Sequence, residues 1–129
     1  MHPLLRFKLL LALLFGMGFA HAMGGTLPLD VGNYVIASYK PCEEAPNAGV
    51  TSYDGASFVG PHDSDCQTTV LEQSGPRYRV SISCKALGDG TPMVPRPYVE
   101  SVRILTRTSF AIVRHDGTED EFDLCPAFH

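Results

Sequence analysis

Apolar and polar residues alternate most regularly from Arg77 to Cys84. Tyr78, Val80, Ile82 and Cys84 fall on one side, and Arg77, Arg79, Ser81 and Ser83 on the other. A period of two is that of a strand with one face buried, because successive side chains of a pleated chain point to opposite sides. In the preceding segment Cys66, Thr68 and Val70 share a face, and the intervening Ser74-Gly75-Pro76 is a turn signal. Folding a hairpin about Gly75 sets Val70 opposite Val80, Thr68 opposite Ile82 and Cys66 opposite Cys84.

The rest of the chain reads the same way. Asn33 to Ser38 is a first strand, followed by a loop through Pro41, Cys42, Pro46 and Asn47 with room for one helical turn. Val50 to Tyr53 and Ala56 to Val59 flank Asp54-Gly55, a dipeptide suited to a two-residue turn of the primed type. After an irregular stretch rich in Gly and Pro (Leu87 to Pro97), Tyr98 to Leu105 and Phe110 to Arg114 are further strands, and His115-Asp116-Gly117-Thr118 turns into the last, Glu119 to Cys125. About eight strands at short spacing predict an all-β meander, a small antiparallel barrel or a two-sheet sandwich.

The first 22 residues stand apart. A basic start (Arg6, Lys8) precedes an apolar run from Leu9 to Ala20, which ends in Ala20-His21-Ala22. That order is the signature of a secretory signal peptide, with cleavage expected after Ala22. Twelve apolar residues reach only about 18 Å, too short for a hydrocarbon core roughly 30 Å thick. The expected product is a single exported domain, residues 23–129, without a membrane span and periplasmic in location. Cleavage removes two basic residues and no acid, so the formal charge of −4 becomes −6, with 8 Lys and Arg against 14 Asp and Glu. Nucleic-acid binding is not expected, because phosphate neutralisation needs clustered cations.

Four cysteines, all within the exported part, predict two disulfides. Directly opposed residues of an antiparallel ladder lie within disulfide reach, so the hairpin predicts Cys66–Cys84. Cys42 is then left with Cys125, closing a loop of about 84 residues, worth about 4 kcal/mol in the chain-entropy model. No Cys or His pairs stand at zinc-ligand spacing, and the residues around Asp63 and Asp65 lack the pattern of a calcium loop. No metal or cofactor is expected. His62, His115 and His129 are the histidines left after cleavage, and with the thiols bonded and no Gly-x-Ser-x-Gly elbow present, an enzyme is not expected. Asp116, Glu119, Asp120, Glu121 and Asp123 crowd the last hairpin. They are read as a solvated face that forms an acidic patch able to steer cationic partners.

The tip of the central hairpin, Ser74-Gly75-Pro76-Arg77-Tyr78, resembles the S-G-x-x-Y motif of the bacterial membrane-bound or periplasmic inhibitors of C-type lysozyme, small exported β barrels. A cysteine after the first strand paired with one near the C-terminus, as expected for Cys42 and Cys125, is a second similarity. The resemblance implies that Ser74 enters the lysozyme cleft and hydrogen-bonds its catalytic carboxylates, with Tyr78 supporting the loop. The companion Lys-Gly motif of that family is missing: the nearest lysine, Lys85, is followed by Ala86-Leu87-Gly88. The Cys66–Cys84 bridge is likewise not part of the family pattern.

The resulting expectation is a non-enzymatic exported protein that binds another macromolecule, most concretely an inhibitor of, or immunity protein against, a lysozyme-like cell-wall hydrolase. Ser74, Gly75, Arg77 and Tyr78 form its contact loop. Two alternatives are a small-ligand carrier, with a barrel interior lined by Tyr34, Phe58, Tyr98 and Phe110, and a structural envelope protein with no discrete site.

Overall fold

The runs of β-branched and aromatic residues become eight antiparallel strands in the computed structural model, which describes residues 26–126. The expected leader with its cleavage point after Ala22, and His129, lie outside the described residues. The strands are β1 (Gly32–Ile36), β2 (Val50–Tyr53), β3 (Phe58–Val59), β4 (Asp63–Ser74), β5 (Arg77–Leu87), β6 (Tyr98–Thr106), β7 (Ser109–Val113) and β8 (Glu119–Leu124). They form one sheet in the order β3-β2-β1-β8-β7-β6-β5-β4. Between β3 and β4, the two ends of that order, side chains take over from a ladder. Phe58 N donates to Thr68 Oγ1 (3.0 Å) and Thr68 N donates to Ser57 Oγ (3.1 Å). The sheet is therefore a nearly closed barrel, which decides between the two architectures left open by the strand pattern.

The central hairpin carries the expected register, with Val70 opposite Val80, Thr68 opposite Ile82 and Cys66 opposite Cys84. Its tip is tighter than three residues: Ser74 pairs with Arg77, so the turn is Gly75-Pro76 alone. A β-bulge between Val70 and Glu72 absorbs the extra residue and restores the alternation. Gly75 has φ +57, a conformation that glycine adopts without penalty at the first position of such a turn, while the proline ring fixes the second. Both disulfides, Cys66–Cys84 and Cys42–Cys125, pair as expected.

Two local expectations are corrected. The first strand stops at Ile36, and Ala37–Tyr39 turns into the first of three short 3-10 helices, the others being Cys42–Glu44 and Asn47–Gly49. This segment folds back over the outside of β1 and β8. There the Cys42–Cys125 bridge and an ion pair from Lys40 to Asp123 (2.7 Å) hold it, and Val35 is left 1% exposed. The second correction concerns Asp54-Gly55. Tyr53 pairs with Phe58, so the loop has four residues, and only Gly55 has a positive φ where a type I′ turn needs two. Asp54 Oδ1 instead accepts from Ala56 N (2.8 Å) and Ser57 N (2.6 Å), which holds its carboxyl below its ordinary pKa.

Inward positions fill the barrel with a chain of rings. Tyr34 and Phe58 each lie 5.2 Å from Phe110, Phe122 stacks on Phe110 at 5.0 Å, and Tyr53 meets Phe58 at 5.2 Å. Each such burial is worth about 1.5–3 kcal/mol. Because the strands run up and down, the β4–β5 and β6–β7 turns lie at one end of the barrel and the β5–β6 and β7–β8 connections at the other. Leu27 and Leu29, both buried, plug the first end. Leu27 N donates to the Tyr53 hydroxyl (3.1 Å), which donates back to Leu27 O (3.2 Å), and Tyr34 OH donates to Asp30 O (2.6 Å). Burial pushes both phenols above their ordinary pKa.

Candidate functional site

Ser74, Gly75, Pro76 and Arg77 are exposed at the plugged end of the barrel, and Tyr78 is half-buried beneath them. The tip is exposed but not loose. Pro76 O accepts from Ile104 N (2.8 Å), so the neighbouring strand β6 pairs with β5 right up to the turn. Below it Gln73 Nε2 donates to Tyr78 OH (2.9 Å) and Gly75 O (3.4 Å), tying the flanks of the turn together. The alternation of β5 sends Arg77 outward, directly opposite Ser74 on one side and Arg103 on the other. Like charges face to face are unfavourable. Arg103 is neutralised by a paired hydrogen bond and ion pair to Glu119, whereas Arg77 has no ion-pair partner among the described residues. A shallow groove of about 240 Å³ runs beside the tip along Glu72, Ser74, Arg77, Arg79 and Ser101.

The β6–β7 turn shares this end, so Arg107 stands at the same end as the tip and is held by Asp30 through Nε (3.0 Å) and Nη2 (2.7 Å). Arg103 and Arg107 were not singled out from the sequence; the signal that finds them is the up-and-down strand order, which pairs Arg103 of β6 with Arg77 and sends the turn that holds Arg107 to the end of Ser74.

The five C-terminal acids are split by strand alternation and by local partners. Asp116 lies in the β7–β8 turn at the opposite end, where it accepts from Thr118 N (2.9 Å) and Oγ1 (2.6 Å), and these bonds hold its carboxyl below the ordinary value. Asp120 faces the barrel side with Phe122 and accepts from Arg114 Nε (2.8 Å). Glu119, Glu121 and Asp123 face outward. The Arg103 guanidinium bonded to Glu119 holds that carboxyl low, and Asp123 is paired with Lys40. Glu121, opposite Ala111, makes no ion pair among the described residues.

Compared with known protein families, curated proteins and solved structures, the chain matches none.

His62 and His115 are exposed on connections at the end away from the tip, and all four cysteines are bonded. Among the described residues no three His, Cys, Asp or Glu side chains converge as metal ligands. No described helix is long and apolar enough to cross a membrane. Of the four aromatics expected to line a carrier cavity, Tyr34, Phe58 and Phe110 pack against one another, and Tyr98 sits in the wall at the open end, 44% exposed. The space beside Phe58, Ile82 and Phe110 is about 70 Å³, against roughly 300–1,000 Å³ for ordinary ligand sites, while a wider open cleft of about 1100 Å³ runs along Ile36, Glu100, Ile112, Arg114, Asp120 and Phe122.

Proposed function

We propose that this disulfide-braced barrel acts by binding another protein through its hairpin tip, without catalysing a reaction, and that the partner is a lysozyme-like cell-wall hydrolase which it inhibits in the periplasm. Two disulfides in a small chain fit an oxidising compartment. The observation that carries the reading is the anchored, exposed turn. Ser74 is presented on a tip whose backbone is held by β6 through Pro76 and whose base is held by Gln73, so little ordering remains to oppose binding. An exposed turn with an anchored backbone suits insertion into a substrate cleft.

Arg77 supplies the cation beside Ser74 in place of the absent Lys-Gly pair. Facing outward by strand alternation and without an ion-pair partner among the described residues, it is available to a carboxylate of the partner. The C-terminal acids contribute less to steering than their number suggests, because Glu119, Asp120 and Asp123 are each paired with a cation. The net negative charge still favours encounter with a basic hydrolase at low salt.

The test is inhibition of a panel of lysozymes by the mature protein and by Ser74→Arg. The exposed Ser74 side chain makes no hydrogen bond among the described residues, so the variant is expected to keep the wild-type Tm while inhibition falls at least about tenfold, the loss of about 1.4 kcal/mol of binding. Inhibition unchanged by the substitution, or absent from the wild-type protein across the panel, overturns the reading.

A further inference from the structure

At the end of the barrel away from the tip two acidic side chains face inward, Asp120, which is paired with Arg114, and Glu100, which is not. Glu100 lies in β6 between the inward-facing Tyr98 and Val102 and pairs with Val80, which is fully buried. Glu100 lines an interior space of about 70 Å³ together with Phe58, Ile82, Tyr98, Val102 and Ile112, and it also borders a wider open cleft of about 1100 Å³ that carries Arg114 and Asp120. Among the described residues Glu100 has no hydrogen bond and no ion pair. The neighbouring cation by register, Arg114, is bound to Asp120 instead. Burial raises the Glu100 carboxyl above its ordinary pKa, and only the more distant charges of Arg114 and His115 oppose that rise. A carboxylate among apolar walls without a partner is costly to keep, and a bound cation would relieve that cost.

We propose that this open end of the barrel is a second binding site, for a primary ammonium on a short alkyl stem, with Glu100 as its counter-charge and the apolar wall around it as the seat of the stem. The chemistry follows from the lining. One carboxylate neutralises one cation, whereas calcium or magnesium takes six or more oxygens. At about 10–15 Å³ of such volume per water-sized atom, the apolar space beside Phe58 and Ile82 seats roughly five heavy atoms, enough for a short alkyl stem and its nitrogen, while the wider cleft along Glu100 and Ile112 leaves room for what the stem is attached to. A free alkylamine and the end of a lysine side chain share this chemistry. The site is distinct from the hairpin tip: Glu100 pairs with Val80, three residues along β5 from Arg77, and faces the barrel interior where Arg77 faces outward.

The mature protein with both disulfides intact is titrated with n-butylammonium chloride, and the methyl resonances of Ile82 and Ile112 are followed by NMR. Parallel arms use n-butanol, a capped Gly-Lys-Gly peptide, and the Glu100→Gln variant. Saturable shifts are expected with butylammonium, with an affinity at least tenfold above that for butanol, and this preference is expected to vanish in Glu100→Gln. Shifts caused by the peptide as well assign the site to a lysine of a protein partner, and shifts from the amine alone assign it to a small molecule; both support the site. Equal affinity for butanol and butylammonium, the same preference in Glu100→Gln, or no saturable shift overturns it. The butanol comparison is made on the unaltered protein and does not depend on the variant folding.

Discussion

Thr68 and Ser57 join the two ends of the sheet: the Thr68 amide donates to the Ser57 hydroxyl, and the Thr68 hydroxyl accepts from Phe58 N beside it. Ser57 is 6% exposed and is the buried polar side chain of the core. Removing it leaves the Thr68 amide without its acceptor in a place that water reaches poorly. Ser57→Ala is therefore expected to lose about 1–3 kcal/mol of stability. At about 4–8 °C per kcal/mol for a domain of this size, the Tm falls visibly. Hydrogen exchange at Thr68 and Phe58 should quicken more than at the β5–β6 ladder. An unchanged Tm together with unchanged exchange would remove the seam from the account of stability.

Tyr53 holds the plug. Its hydroxyl both accepts from and donates to the backbone of Leu27, and burial keeps that phenol protonated well into the alkaline range. Tyr53→Phe preserves the ring that packs on Phe58 and strips both bonds, at an expected cost of about 1–3 kcal/mol. Limited proteolysis reads the local effect: cleavage should appear first between Leu27 and Val31, ahead of the barrel strands. If the segment is cut no faster than in the wild type, the paired bonds are not what fixes it.

Glu100 gives a pH dependence of definite sign. Its folded-state pKa lies above its unfolded value of about 4.3, so the fold disfavours the charged form. Its contribution is fully favourable below the unfolded value and is lost as pH rises through the folded one. Replacing it by the neutral Gln should make the protein more stable than wild type at pH 7, with the gap closing toward pH 4. Asp54 acts in the opposite sense. Its carboxyl is held low by the Ser57 and Ala56 amides, so its contribution is present above about 3.9 and disappears as pH falls through the folded value. Urea melts of wild type and Glu100→Gln at the two pH values decide; a gap of the same size at both would mean that titration of Glu100 does not cause it.

Much of the fold was legible because a period of two is a local signal. The pairing of Cys66 with Cys84 followed from counting outward from Gly75, and it survived an error at the tip because the bulge near Leu71 cancels a one-residue shift. What the pattern did not carry is contact between segments that neither alternate nor adjoin. The seam through Ser57 depends on a four-residue loop that Asp54 stabilises with its carboxylate, and Asp54-Gly55 also suits a tighter turn. The neutralisation of Glu119 by Arg103 joins residues on β6 and β8, which only the barrel order brings within reach. The inward orientation of Glu100 was visible as parity with Val102, but a glutamate in a strand next to exposed Tyr98 and Val99 looks like an ordinary surface position.

The place of β1 between β2 and β8 bears on how the molecule comes into being. From β4 to β8 every strand pairs with its immediate successor, so this part can assemble hairpin by hairpin as the chain is made. β3 can reach β4 early through the Ser57–Thr68 seam, but β1 has no ladder to this part until β8 exists to receive it. Closing that gap joins residues such as Tyr34 and Leu124, far apart in the chain, and contacts of that kind form slowly because their loop-closure entropy is met first. The Cys42–Cys125 bond spans the same junction. A chain interrupted before residue 119 has neither the bond nor the strand that completes the barrel, whereas one that ends at Leu124 keeps the strand and loses only the bond.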